Sequence, residues 1–282
     1  MKVFVAGAPG AGKTVYIATL FRAAFSMLGG YRDPPKVRPA VGDEASRVLR
    51  QTAQDILTGR LPAATSRLSS ARVLVDLPGS IVCDIGRLTV TLDIADPPGG
   101  HCFVAPGKPL DRTVARHCAE CDGALVLLPA DATDGQRREL VEMLDRFLAN
   151  VREAKRFPAG TPPFDRIVVA VSKAELLVKG AERPLNVLDY VSPIDILTRL
   201  YGKALFDVAR RGAPSGGDWY STVSAFGFRR TTGKLAAVRR GEDWTLPDDP
   251  NSWDEWTPFR LLEPIEFLAR GVCWRESYSL YE

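Results

Sequence analysis

The sequence has no apolar run approaching the ~18 residues that a membrane span needs, and its first apolar stretch is broken by glycines and by Lys13. That stretch is unlike a signal peptide, so the expectation is a cytoplasmic protein. Charge of one sign is also missing. The 37 Lys and Arg residues face 34 Asp and Glu residues spread along the chain, and a net charge of +3 demands no polyanionic partner. Nucleic acid is therefore not an expected partner. Histidine is scarce, at two residues, and the five cysteines are an odd number without the pattern of a disulfide framework, so reduced thiols are expected. Both histidines adjoin cysteines, in His101-Cys102 and in His117-Cys118-Ala119-Glu120-Cys121. These could supply four zinc ligands, but their spacing matches no standard pair of ligand knuckles, and thiols lining a helix end are the alternative.

What is present is the usage of an ordinary soluble globular protein, with 45% hydrophobic and 25% charged residues. A single domain over residues 1–282 is expected. Lys2 to Ala6 predicts a buried strand, and Ile17, Leu20, Phe21, Ala24, Phe25 and Leu28 fall on one helix face that Gly29-Gly30 stops. A helix is expected from about Asp43 to Thr58, then a hairpin of Ala71–Leu77 and Leu88–Ala95. After it come a strand in DGALVLLPAD (Asp122 to Asp131), a helix around Arg137 to Val151, a strand at Arg166–Ser172, a helix opened by Ser192-Pro193, and a last strand from Asp218 to Ser224. This alternation predicts a three-layer α/β/α sandwich, a mostly parallel sheet with one antiparallel hairpin strand. The polar segment at about 227–256 is expected to be an irregular surface excursion, followed by a helix at about 261–269. Its paired arginines could touch nucleic acid or anionic lipid, although a solvated loop is the plainer reading.

GAPGAGKT, Gly7 to Thr14, fits G-x-x-x-x-G-K-[ST] and stands between a predicted strand and a predicted helix. Glycines there let backbone N–H groups converge on phosphate oxygens at a helix N-terminus, where the helix dipole favours an anion. Gly7, Pro9, Gly10, Ala11, Gly12, Lys13, Thr14 and Val15 are the expected nucleotide contacts, with the Lys13 ammonium on the terminal phosphates and the Thr14 hydroxyl on Mg²⁺.

A metal-binding aspartate is expected at the end of a second strand, and LTVTLDIADPPG supplies Asp96 with Gly99 three residues on. In Asp96-Pro97-Pro98-Gly99 the chain resembles the Ras-like and translation-factor-like (TRAFAC) superclass of P-loop GTPases, with its DxxG motif. Ser172-Lys173-Ala174-Glu175 is similar to the family's N/TKxD base motif, and Ser224-Ala225-Phe226 to its SAK motif. The resemblance implies GTP or GDP as ligand with Mg²⁺. It also implies that Asp96 acts on the metal, that Gly99 reports on the γ-phosphate, and that Ser172, Lys173, Glu175, Ser224 and Ala225 surround the base. A structural reading of Ser172 to Glu175 as a strand end before a helix start stays open.

Thr65, in a proline-bearing loop ahead of the hairpin, is the candidate to complete the metal shell, with an ordinary loop threonine as the alternative. A competing Asp76-Leu77-Pro78-Gly79 exists; Asp96 is preferred because a hairpin partner precedes it. Where Ras-like members carry a water-orienting glutamine this chain has Gly100, so the candidate is His101, one residue later, with a surface histidine as the alternative. The resemblance thus implies a switch with slow hydrolysis, acting through a protein effector or activator and through a nucleotide-dependent dimer. Poorly characterised bacterial double-GTPase-type proteins share such short motifs. Rival readings are an additional-strand ATPase, a small-molecule kinase and a non-hydrolysing scaffold.

Overall fold

The computed structural model describes residues 1–20, 36–39, 51, 55, 69–77, 88–96, 103–104, 110–229, 231–236, 238–240, 243–245 and 256–272. Strand β1 (Lys2–Gly7) leads through the glycine loop into helix α1 (Lys13–Leu20). Strands β2 (Lys36–Pro39), β3 (Ser69–Leu77) and β4 (Leu88–Asp96) follow, then α2 (Arg112–Ala119), β5 (Gly123–Pro129), α3 (Asp134–Ala154) and β6 (Arg166–Ser172). A short 3-10 turn, Ala174–Leu177, precedes α4 (Pro184–Tyr190), α5 (Pro193–Tyr201), α6 (Ala204–Arg210) and β7 (Asp218–Thr222). The rest is β8 (Ser224–Arg229), β9 (Val238–Arg240), β10 (Asp243–Thr245), β11 (Trp256–Phe259) and α7 (Glu263–Arg270).

The main sheet has seven strands in the order β2-β3-β4-β1-β5-β6-β7. The neighbours from β4 to β7 pair in parallel, and β3 runs antiparallel to β4 as the expected hairpin. Successive residues of β1 point to opposite faces, yet Val3, Phe4, Val5 and Ala6 are all buried, so both faces are covered. On one face Phe4 stacks with Phe147 of α3 at 5.9 Å. On the other, Gly123 pairs with Val3, and an added Cβ there would come within 3.1 Å of Leu268 in α7. The result is a three-layer α/β/α sandwich with a mostly parallel sheet.

Helix α3 is the longest described, and its start is defined by a reciprocal cap. The Thr133 hydroxyl accepts from the Gln136 N–H, while the Gln136 side chain accepts from the Thr133 N–H at 2.8 Å. The cap that the Ser192-Pro193 pair predicts is present as well, with Ser192 Oγ accepting from the Ile194 N–H at 3.2 Å. The periodicity of the sequence passes over α2, α4 and α6, which are too short to repeat an apolar face.

The region expected to be an irregular excursion differs from that expectation. Ser224 does not close the last parallel strand but opens β8, which pairs antiparallel with β11, and β9 pairs with β10. The cause is packing: Phe228 is fully buried and meets Phe259 edge-on at 5.9 Å. Gly227 takes φ +57°, and a Cβ there would lie 2.0 Å from the Thr257 carbonyl oxygen, so only glycine lets β8 and β11 approach so closely. The last helix begins at Glu263, with Pro264 in its first turn, rather than at residue 261. The expected helix of Asp43 to Thr58, apart from residues 51 and 55, lies outside the described residues.

Candidate functional site

The glycine loop starts where β1 ends. Gly7 pairs with Leu127 of β5, and a Cβ on Gly7 would stand 2.7 Å from the Leu127 carbonyl oxygen. Gly10 and Gly12 take φ +72° and +78°, the left-handed region that suits glycine. The Ala11 N–H donates to the Ala8 carbonyl at 3.1 Å, and the Tyr16 N–H donates to Gly12 at 2.8 Å as α1 begins. Lys13 is buried inside this curl. Its ammonium donates to the carbonyls of Gly7 at 3.0 Å and Ala8 at 3.2 Å, which places a positive charge at the loop's centre. Thr14 and Val15 are half-buried on the first turn of α1.

Asp96 is the last residue of β4, which lies directly beside β1. Val3 pairs with Leu92, and continuing that register brings Asp96 level with Gly7. The competing Asp76 pairs with Thr89 near the start of β4, at the opposite end of the strand from the glycine loop. Thr65, Gly99 and His101 lie outside the described residues. Among the described residues no group of three His, Cys, Asp or Glu side chains forms a metal cluster, and Cys118 and Cys121, at the end of α2, are buried and form no disulfide.

The second half of the site stands at the ends of β5 and β6. Ser172 closes β6, and its hydroxyl donates to the Leu128 carbonyl at 3.3 Å. Lys173 takes a left-handed conformation, φ 57° and ψ 35°, and its ammonium pairs with Asp131 at 2.8 Å. Glu175, on the 3-10 turn, is only 3% exposed, and its Oε2 is buried with no hydrogen-bond partner. Burial pushes the Glu175 carboxyl up from the usual range, against a hydrogen bond from Ser224 that favours the ionised form. Ser224 is itself fixed, because its Oγ accepts the Gly227 N–H at 2.7 Å. Ala225 follows it, half-buried.

The sequence motifs therefore converge in two clusters, one around Lys13 and one around Glu175. A cleft of about 660 Å³ runs from Ala8, Pro9 and Gly10 to Asp131 and Lys173, with Phe103, Leu140 and Met143 on its apolar side. Sequence reasoning missed Asp131, whose signal was its place in the turn after a buried strand, where ligands gather in open α/β sheets.

No protein-family model matches this chain, and no curated protein does. Among solved structures, the chain is similar to a bacterial selenocysteine-specific elongation factor, EF-Sec, at 13% identity and a TM-score of 0.36. The alignment covers 80% of this chain and 25% of that one, so the chain spans about a quarter of the elongation factor's length. No described helix is long and apolar enough to cross a membrane.

Proposed function

We propose that this protein is a Mg²⁺-dependent guanine-nucleotide switch that hydrolyses GTP slowly and signals through a protein partner. The observation that carries the reading is the unpartnered Oε2 of Glu175. A buried acceptor left without a donor is costly, and a guanine edge presents N–H donors that would satisfy it. Serine, lysine and carboxylate come together from β6, the 3-10 turn and β8, and Lys173 of this cluster lines the cleft that starts at the glycine loop.

In this reading the N–H groups of the loop and the N-terminus of α1 cradle the phosphates. Lys13 exchanges its loop carbonyls for phosphate oxygens, a stronger charge-assisted contact. Thr14, Thr65 and Asp96 are the residues that would hold Mg²⁺, whose chemistry is to neutralise charge building on the phosphates. Lys173 lays its stem along the base, and Glu175 accepts from the base edge. His101 is the candidate to orient water. The direct pairing of β4 with β1 favours this class over an additional-strand ATPase. Double-GTPase-type bacterial proteins are the finer resemblance, and a nucleotide-dependent dimer is one form that the partner contact takes.

Gly100, standing where a glutamine would orient water, favours a second reading, a nucleotide-binding scaffold without turnover. The deciding experiment titrates the purified protein and its Lys13→Ala variant with fluorescent GDP and ADP in Mg²⁺, and follows phosphate release from GTP. Preference for GDP, lost in Lys13→Ala, is expected; equal or reversed affinities overturn the guanine reading. Turnover at background with GDP binding intact selects the scaffold.

A further inference from the structure

Two carboxylates feel the charge of Lys173. One is Asp131, in the turn after β5, which takes the ammonium at 2.8 Å; the other is Glu175, two residues further along its own chain segment. The two turns are held side by side, because Pro129 pairs with Ser172 and the Ala130 N–H donates to the Ser172 carbonyl at 3.0 Å. Both members of the ion pair are partly open to solvent, at 34% and 44%, so it adds little to the stability of the fold. A buried carboxylate attracts an ammonium with less screening by water, but an ammonium that joins it gives up its own hydration. In the structure the ammonium pairs with Asp131, and Glu175 Oε2 stays without a partner.

We infer that Asp131 is a positioning residue for the nucleotide site: by holding the Lys173 ammonium it leaves the buried Glu175 oxygen without an intramolecular partner, to be satisfied by a nucleobase. The inference rests on the guanine reading for its purpose, but the contact itself does not. The charged and hydrogen-bonding groups acting on Glu175 are Lys173 from its own segment, Asp131 from the turn after β5 and Ser224 from β8. Asp131 raises the Glu175 pKa and Lys173 lowers it, so removing Asp131 and releasing the lysine act in the same direction.

The test uses the full chain with Asp131→Asn, Asp131→Glu and Lys173→Met, singly and combined. In the nucleotide-free protein, carbon NMR of the carboxyl groups follows Glu175, assigned by its loss in Glu175→Gln. Asp131→Asn is expected to move the Glu175 titration to lower pH, and to move it much less when Lys173 is Met. In Mg²⁺ titrations Asp131→Asn is expected to weaken GDP about tenfold with little change for ADP, narrowing the preference, while Asp131→Glu restores most of it. Thermal melting of Asp131→Asn should match wild type. An unmoved Glu175 titration, or an equal movement in the Lys173→Met background, overturns the inference. A wild type that takes ADP as well as GDP overturns the guanine reading instead, and the NMR comparison still decides the role of Asp131.

Discussion

The hydroxyl of Tyr16 donates to the carbonyl of Leu261 at 2.6 Å, across 245 positions of sequence. Tyr16 is on the first turn of the helix that follows the glycine loop, and Leu261 is in the connection between β11 and α7. Ala18 of the same helix packs with Ala236, Phe226 and Trp256, and the Trp256 indole donates to the Phe226 carbonyl at 2.8 Å. Helix α1 is thus covered by the ribbon that begins at Ser224.

Tyr16→Phe leaves the buried Leu261 carbonyl without its donor. The expected loss is about 1–3 kcal/mol of unfolding free energy. Urea denaturation of the two proteins side by side measures it, and an unchanged midpoint would show that the bond carries no weight.

Gly7→Ala brings a methyl group against the Leu127 carbonyl, a backbone atom that cannot step aside. Destabilisation of about 1–3 kcal/mol is expected, as for overpacked cores. Nucleotide affinity should fall with it, because the loop is carried on that residue. Calorimetric binding with GDP at a temperature where the variant is still folded separates the two effects.

The buried carboxyl of Glu175 makes an acid–base prediction whose sign is fixed. Its folded-state pKa is raised, so the folded protein binds more protons than the unfolded one as pH climbs from the ordinary glutamate range through the raised value. Stability of the nucleotide-free protein therefore falls across that window, and Glu175→Gln removes that fall. GDP affinity runs the other way: the base needs the ionised acceptor, so binding strengthens as pH rises through the same window. Denaturation and GDP titration at a series of pH values, on wild type and Glu175→Gln, check both slopes.

Lys13→Ala should reduce GDP affinity by at least about a hundredfold, on the scale of losing more than one charge-assisted phosphate contact. The fold should survive, since among the described residues the ammonium's hydrogen bonds go to the carbonyls of Gly7 and Ala8, in its own loop. Far-ultraviolet circular dichroism beside the binding curve distinguishes lost chemistry from lost structure.

The glycine loop, the hairpin and the central strands are legible in the sequence because each is a local pattern. Four fixed residues mark the loop, and unbroken apolar runs mark strands buried on both faces, as in Val3 to Ala6 and Ala124 to Leu128. Local order does not separate Asp96 from Asp76, because β2 also pairs antiparallel ahead of Asp76; the register places Asp96, and not Asp76, at the glycine-loop end of β4. The ribbon of β8 and β11 is not legible, because its pairing joins residues such as Ser224 and Phe259 that share no local signal. The Asp131–Lys173 contact is hidden for the same reason: it exists only once β5 and β6 lie in register.

The bond from Tyr16 to Leu261 also sets an order of assembly. During synthesis the glycine loop and α1 emerge first, whereas the ribbon and α7 that cover them emerge near residues 256–270. Loop closure over so long a span is slow, and earlier strands wait with apolar surface open to solvent. A nascent chain halted before β11 would carry the glycine loop on a helix that lacks the Leu261 partner of Tyr16 and the Trp256 cover of Ala18.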